Sequence, residues 1–339
     1  MKAKTKILIL ALCVAVLVAG YVVGTQARLN AGPEKDIDLR TALHYLNGDE
    51  SNRITSKVSS ITFGLNADYS HITAVYDGTA VKLEQDGTVY AYYVPDGANY
   101  DVYVLSDQKI YAPENSSNLF ADMTRLTSFH GANLDTGRTT DMSFLFFDCT
   151  SLIALDVTGW DLSNVTTTTN LFGGDRLLTA ITGLDSWDLS NVTDTSNMFA
   201  DCASLEKLDG ISAWDTGNVT AMECMFYNCR SLTDVDVSHW DVRCARDMWG
   251  MFHGCESLTK IDISRWDAEN VTNTAELFDG CSSLTAITIP EGMATVGAYA
   301  FADCGTLSTV TFLGDAPKLS SDCFYGVTAR AFYLNIYET

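Results

Sequence analysis

The chain has 339 residues, of which 47% are apolar, so it can bury a sizeable core; its formal net charge is −22, from 43 acidic and 21 basic residues. Such an excess of negative charge repels nucleic acid and anionic membrane surfaces, and this argues against nucleic-acid binding.

The first 30 residues, 1–30, have the pattern of an export segment. Lys2, Lys4 and Lys6 precede an uncharged apolar stretch that runs to Gly24. The stretch is long for a removed Sec-type signal and nearly long enough to span a bilayer, while a passable small-residue cleavage site follows it. We therefore expect either a signal peptide or a signal anchor, with the rest of the chain outside the cell.

Residues 31–112 contain segments in which apolar and polar residues alternate, as in half-buried strands. The segments are Ile61 to Leu65, Ile72 to Tyr76, Val81 to Glu84, Thr88 to Val94 and Tyr100 to Leu105. The Asp86-Gly87 pair predicts a hairpin turn. Tyrosines are concentrated here, and we interpret them as packing a small sheet, with a sugar-binding platform as the alternative. The pattern predicts a β-rich domain that caps the first end of the repeats in residues 113–327.

Residues 113–327 repeat with a fixed period. Trp-Asp pairs recur every 26 or 27 residues, at Trp160, Trp187, Trp214, Trp240 and Trp266. Phe recurs with them and then at intervals of 23 residues, at Phe120, Phe146, Phe172, Phe199, Phe226, Phe252, Phe278, Phe301 and Phe324. A self-similar period of this size predicts a solenoid. We expect residues 328–339 to be a short tail after the last repeat.

A Leu six residues after each of the first eight Phe opens a short apolar-alternating run, such as the one from Leu232 to Val237. The runs fit the LxxLxL strand of a leucine-rich repeat, so we predict one short parallel strand per repeat. The distance from Phe to Trp varies by one residue, which a loop after the strand would absorb.

Cysteine occupies one position in most repeats, three residues after the Phe. The members are Cys149, Cys202, Cys229, Cys255, Cys281 and Cys304, and Asp175 takes this position in one repeat. A column of small thiols predicts core packing rather than disulfides or a metal site. Cys224, Cys244 and Cys323 lie outside the column, and a bridge between the first two remains an alternative.

Acidic residues mark a candidate binding surface. The residue between the last two apolar positions of the predicted strand is Asp156, Asp209, Asp236 or Asp262 in four repeats. Carboxylates about 5 Å apart across a sheet also occur in retaining glycosidases, and acidic residues can bind calcium. We favour a solvated acidic face that meets a partner protein, since glycosidase chemistry needs two carboxylates in different environments.

One repeat departs from the others at its turn. An Asn-Val-Thr turn recurs at Asn164, Asn191, Asn218 and Asn270, and we interpret this Asn as a turn residue bonded to nearby backbone rather than as a glycan site. In the divergent repeat the turn contains Arg243 and Arg246, and Trp249 is the one tryptophan outside the Trp column. A second candidate binding spot consists of Arg243, Arg246 and Trp249. The alternative is that Trp249 is a surface tryptophan that only packs against its neighbours.

The five histidines are scattered, and the sequence has no serine elbow, phosphate loop or HExxH motif. We therefore predict no enzyme, no catalytic residue, no cofactor and no metal site.

Several repeated positions together resemble the BspA-like leucine-rich repeat surface proteins of bacteria. The resemblance rests first on the unit from Trp187 to Leu205, with Asn191, Phe199 and Cys202 at its repeated positions. The closing units look like the shorter repeats of that family; they contain Ile289-Pro-Glu-Gly, Ala300-Phe301-Ala-Asp-Cys304 and Cys323-Phe324.

The resemblance implies a leucine-rich-repeat solenoid in an exported cell-surface protein. Members of that family bind extracellular proteins, including host matrix proteins such as fibronectin and fibrinogen, or other surface proteins. We therefore expect an adhesin. The alternatives are a structural scaffold or stalk whose Tyr-rich amino-terminal domain is the binder and, third, a carbohydrate-active enzyme.

Overall fold

A computed structural model of the chain describes residues 38–46, 50–76, 80–83, 88–327 and 331–335. The predicted export segment lies outside these ranges, as does most of the short tail. Within them, no helix combines the length and the apolar character needed to cross a membrane.

The amino-terminal region folds as a mixed sheet with two short helices. In chain order its elements are α1 (Leu39–His44), β1 (Val58–Leu65), α2 (Ser70–Tyr76), β2 (Val81–Lys82), β3 (Val89–Asp96) and β4 (Asn99–Ser106). α1 begins where the Asp38 carboxylate accepts the backbone N–H of Thr41 at 2.9 Å. The sheet order is β2-β3-β4-β1-β6, where β6 is Ser128–His130. Because β6 lies after Phe120, this sheet continues into the repeats.

The strand predicted at Ile72 to Tyr76 is wrong, since this segment is part of α2. Tyr69, Ile72 and Tyr76 are spaced at i, i+3 and i+7, so a helix places all three on one face. That face packs on Tyr92 and Leu105 of the sheet. The other predicted strands correspond to β1, β2, β3 and β4, and β2 pairs antiparallel with β3 as expected of a hairpin, although its turn lies outside the described residues.

Successive repeats stack on one another at the Phe segments. The backbone N–H of each Phe from Phe120 to Phe301 donates to the carbonyl of the residue before the next repeat Phe, at 2.8 or 2.9 Å. Five residues before the Phe, one residue per repeat forms a parallel bridge to the next repeat, in the series Asn115, Asp141, Thr167, Asp194, Ala221, Asp247 and Asn273. The Phe rings form a continuous stack with centroid separations of 4.8 to 6.0 Å.

The Phe segment is a tight turn with a left-handed residue two positions after the ring and, in every repeat but the last, another two positions before it. The residues after the ring are Asp122, Asp148, Gly174, Asp201, Asn228, Gly254, Gly280, Asp303 and Gly326. Asn, Asp and Gly are the residues that adopt positive φ at least cost. Before the ring, four bulkier or reactive residues accept this conformation, namely Phe144, Cys224, Glu276 and Tyr299.

The predicted strand is formed in only part of the repeats. At the predicted position the strands are β6, β8 (Ala154–Asp156), β9 (Ala180–Thr182), β10 (Ala286–Ile289) and β12 (Thr309–Leu313). The other strands of this region are β5 (Ile110–Tyr111), β7 (Leu134–Asp135), β11 (Thr295–Val296), β13 (Lys318–Leu319) and β14 (Ala331–Asn335). They pair in parallel as β5-β7, β8-β9, β10-β12-β14 and β11-β13. The three repeats between β9 and β10, all within the described residues, have no strand at this position, and a single bridge, Lys207 to Asp234, joins the first two of them there.

The extra residue of the longer repeats forms a short 3-10 helix rather than an irregular loop. The two 3-10 helices are Leu184–Ser186 and Ile211–Ala213. Each is preceded by a glycine, Gly183 or Gly210, at a φ of 91°.

The predicted core column of thiols is confirmed. All six cysteines of the column are buried, and each S–H donates to the carbonyl of a Phe in the preceding repeat at 3.0 to 3.2 Å. Burial raises the pKa of these thiols, which keeps them protonated and able to donate. The alternative bridge between Cys224 and Cys244 is wrong, because Cys224 is buried, Cys244 is exposed and both thiols are free.

Candidate functional site

Asp236 and Asp262 are exposed and locally fixed by the residues just after them. Oδ1 of Asp236 accepts the backbone N–H of Ser238 at 3.1 Å and its hydroxyl at 2.7 Å. Oδ1 of Asp262 accepts the same two groups of Ser264 at 2.9 and 2.7 Å. The serine hydroxyl and then the backbone N–H lower the pKa of each aspartate, so both carboxylates are ionised at neutral pH.

The other two predicted aspartates have different partners. Asp156 ends β8 and accepts the backbone N–H of Thr158 at 2.9 Å. Asp209 lies in a bend and pairs with Lys207 Nζ at 2.6 Å. All four side chains are exposed, but they do not share one continuous sheet, which corrects the prediction of a strand face.

A local side-chain bond alone does not decide where strands form. At Asp236 and Asp262 the N–H two residues onward bonds the aspartate's own carboxylate, which offers the backbone an alternative to a strand ladder, but Asp156 makes the same bond and still ends β8. The repeats with Thr at this position, such as Thr182 in β9, Thr288 in β10 and Thr311 in β12, do form strands, in keeping with the preference of Thr for sheets.

Two of the aspartates line a shallow groove with a volume of about 310 Å³. Its walls are Asp234, Val235, Asp236 and Ser238 from one repeat and Lys260, Ile261 and Asp262 from the next. Lys260 Nζ lies 3.4 Å from Asp234 Oδ2, with both side chains largely exposed. Among the described residues neither Asp236 nor Asp262 forms an ion pair, although His239 lies near the first and Arg265 near the second.

The divergent repeat keeps the backbone of the other turns. Arg243 N–H bonds Asp241 Oδ1 at 3.1 Å, as Gly217 N–H bonds Asp215 in the preceding turn. The Arg243 guanidinium also bonds Asp241. Trp249 is 38% exposed and stacks on Tyr227 at a centroid distance of 6.4 Å.

Arg246 is exposed, and its carbonyl accepts the Thr272 N–H of the next repeat. Among the described residues, no hydrogen bond, ion pair or ring contact joins Arg243, Arg246 and Trp249 to one another. The second candidate spot is therefore not assembled as a single cluster.

A third cluster was missed by reasoning from the sequence. His253 Nδ1 lies 3.5 Å from Glu276 Oε2 and 3.5 Å from Asp279 Oδ2. His253 and Asp279 occupy the same position, directly after the Phe, in consecutive repeats. That shared position was the available signal, because equivalent positions in stacked repeats are neighbours in space.

Comparison with known proteins identifies the repeat region. The family model described as "Mycoplasma protein of unknown function, DUF285" matches residues 114–209 and 205–289, together more than half of the chain. This chain belongs to the DUF285 family. The DUF285 segments include the four aspartates and the cluster at His253. No match was found among curated proteins.

Three solved structures are similar to this DUF285 chain. A leucine-rich repeat protein from Bacteroides ovatus is 20% identical, with a TM-score of 0.39, over 65% of this chain and 58% of its own length. A leucine-rich repeat protein from Eubacterium ventriosum is 19% identical, with a TM-score of 0.31, over 63% of this chain and 74% of its own length. A leucine-rich cell surface protein from Faecalibacterium prausnitzii is 19% identical, with a TM-score of 0.25, over 76% of this chain and 93% of its own length. All three are leucine-rich repeat proteins, and the resemblance predicted from the sequence is confirmed.

Proposed function

We propose that this protein is a non-enzymatic, exported cell-surface module that binds other proteins through the exposed aspartates of its stacked repeats. The observation that supports the proposal is the recurrence of an exposed carboxylate at one position in three consecutive repeats, at Asp209, Asp236 and Asp262.

The geometry favours a basic partner. Asp236 and Asp262 are held by their serine partners, so the carboxylates lose little conformational freedom when a cation binds. The overall charge of −22 attracts a basic protein over a longer range. Complementary charge of this kind raises the rate of encounter and selects among partners more than it raises affinity.

The proposal includes the finer features expected from the sequence. The repeats act as a BspA-like leucine-rich-repeat solenoid, residues 31–112 cap its first end, and residues 1–30 direct export and give membrane attachment if they are not cleaved. The partners are extracellular proteins, either host matrix proteins or other surface proteins, which makes the protein an adhesin.

The test compares two matched double variants of the full-length protein for binding to immobilised fibronectin and fibrinogen. Asp236→Asn with Asp262→Asn removes two charges from the groove while Oδ1 still accepts the serine groups. Asp188→Asn with Asp215→Asn removes two charges from exposed aspartates that make the same kind of turn bond, to Ser190 and Gly217, next to the Trp column. Both pairs change the net charge equally.

We expect the groove variant to bind at least about tenfold more weakly, equivalent to about 1.4 kcal/mol, and the control pair to bind like the wild type. Equal weakening by both pairs would mean that net charge alone drives binding. Binding that neither pair weakens would place the contact elsewhere and favour the Tyr-rich amino-terminal region as the binder. Absence of binding to either matrix protein would favour the scaffold.

A further inference from the structure

His253, Glu276 and Asp279 bring three metal-ligating atoms together on the surface of two neighbouring repeats. The imidazole Nδ1 and one oxygen from each carboxylate all lie within 4.8 Å of one another. The repeat fixes this arrangement, because His253 follows Phe252, while Glu276 and Asp279 stand on either side of Phe278, which stacks on Phe252 at 5.3 Å.

The imidazole is oriented toward the carboxylates. The His253 ring lies face to face on Tyr227, with a centroid distance of 4.4 Å and an interplanar angle of 6°. Nδ1 is buried and has no hydrogen-bond partner, since both carboxylates lie at 3.5 Å without meeting hydrogen-bond geometry. A buried ring nitrogen without a hydrogen bond is unusual and calls for a partner of another kind.

The surroundings are negatively charged. Asp279 lies near the carboxylates of Glu276 and Asp303 as well as near His253. Two adjacent carboxylates of which one is partly buried repel each other unless a cation lies between them. The three side chains are only 20 to 30% exposed, so water screens this repulsion incompletely.

The distances fit a small divalent ion. Bonds of about 2.0–2.1 Å from zinc to nitrogen and oxygen place the ligand atoms of a tetrahedral site about 3.4 Å apart. The two separations from Nδ1, both 3.5 Å, match this edge length, and the two carboxylate oxygens lie within 4.8 Å of each other. Imidazole with carboxylates suits zinc and its neighbours, whereas calcium and magnesium prefer sets made of oxygen alone.

We propose that His253, Glu276 and Asp279 form a binding site for a divalent transition-metal ion of the zinc class, with the remaining coordination position open to water or to a side chain of a bound protein. A metal held by two adjacent repeats links them in the folded state only, so it also stabilises the fold.

The test uses the full-length protein freed of metal with EDTA and dialysed. Zinc chloride is titrated by calorimetry, Co²⁺ by visible absorption, and the melting temperature is measured with and without Zn²⁺. Glu276→Gln and Asp279→Asn remove one charged ligand each while keeping the side-chain shape. Asp188→Asn is the control, because it removes one exposed carboxylate that lies outside both the cluster and the groove.

We expect one Zn²⁺ per chain, a rise in melting temperature on adding Zn²⁺, and a Co²⁺ spectrum of a four-coordinate site. Each ligand variant should bind Zn²⁺ more than about tenfold more weakly, a loss that even residues supporting a ligand can cause. The control should match the wild type, and circular dichroism of each variant in EDTA checks that it folds. Absence of Zn²⁺ binding by the wild type, or binding by both ligand variants as tight as that of the wild type, overturns the proposal.

Discussion

Asp175 is the buried residue whose chemistry fits its surroundings least well. It takes the place of a thiol in the cysteine column, with no exposed surface. Oδ1 accepts the backbone N–H of Cys149 at 2.7 Å, but Oδ2 has no hydrogen-bond partner. Burial raises the pKa of Asp175 well above its ordinary value, with Asp148 adding to the shift.

Asp175→Cys should therefore stabilise the protein at pH 7 by about 1–3 kcal/mol, the cost of leaving a buried polar group unpaired. The new thiol is placed to donate to the Phe146 carbonyl, as the other column thiols do to their Phe. In the wild type the unfolded chain ionises Asp175 near pH 3.8, while the folded chain holds the proton to higher pH. The free energy of unfolding of the wild type therefore falls as pH rises above about 4. Urea unfolding of both proteins from pH 4 to 7 should show a widening gap, and a constant gap would contradict this account.

Cys244 interrupts a second series of inter-repeat contacts. Nδ2 of Asn218 donates to the Ser190 carbonyl at 2.6 Å, and Nδ2 of Asn270 donates to the Arg243 carbonyl at 2.8 Å. Cys244 stands at the equivalent position, is exposed, and lies in a turn of the same form.

Cys244→Asn should restore the missing hydrogen bond to the Gly217 carbonyl and raise the free energy of unfolding by about 1 kcal/mol. Cys244→Ser is the matched control, because its hydroxyl is too short to span the distance that the Asn side chain covers. Chemical denaturation of the three proteins under reducing conditions measures the effect. Equal stability of the Asn and Ser variants would show that the turn does not admit the contact.

Among the elements, the glycine before each 3-10 helix is the most constrained. A Cβ on Gly183 would lie 2.4 Å from the backbone nitrogen of Thr158, and φ is 91°. Gly159 has a similar φ of 82°, but its Cβ would meet nothing within 4 Å.

Gly183→Ala should destabilise the protein by about 2–5 kcal/mol, from left-handed strain together with overpacking against a neighbouring backbone. Gly159→Ala should cost only the strain, about 1–2 kcal/mol. Thermal and urea unfolding of the pair separates the two effects. A similar loss in both variants would mean that the neighbouring repeat can move away from the new methyl group.

The sequence predicted the core of the repeats well and their hydrogen bonding less well. Phe, Trp and Leu recur at fixed spacings because each fills the same buried position, so the period alone identifies the core. The strand prediction failed at Asp209, Asp236 and Asp262 but not at Asp156, although Asp156 makes the same local side-chain bond as Asp236 and Asp262. Neither alternating hydrophobicity nor that bond therefore decides where the ladder forms. The strand prediction for Ile72 failed because so short an apolar run fits either period.

The candidate metal cluster shows a different limit. Near His253 in the chain, Cys255 belongs to the buried thiol column and Glu256 lies beside Arg230, so the local sequence does not indicate the site. Glu276 and Asp279 lie more than 20 residues away in sequence and become neighbours only because consecutive Phe turns stack in register. Comparing equivalent positions of adjacent repeats, rather than single residues, would have revealed the cluster.

At the scale of the whole molecule, stability should depend on contacts between neighbouring repeats. The Phe stack and the bridge series run without interruption through the repeats. In such an array each repeat contributes its own stability and its two interfaces, so removing one complete unit leaves the remaining interfaces equivalent.

Deletion of residues 200–226 removes one complete period and joins Phe199 to Tyr227, which already occupies the position after a Phe. Phe199 N–H then meets the Met251 carbonyl, the equivalent of its present partner Met225. We expect a folded protein with a single cooperative transition and a lower free energy of unfolding. Deletion of residues 200–212 removes about half a period, brings the Trp214 segment against a Phe segment, and should abolish cooperative unfolding. Circular dichroism and calorimetry distinguish these results, and equal disruption by both deletions would show that stability depends on long-range contacts instead of neighbouring repeats.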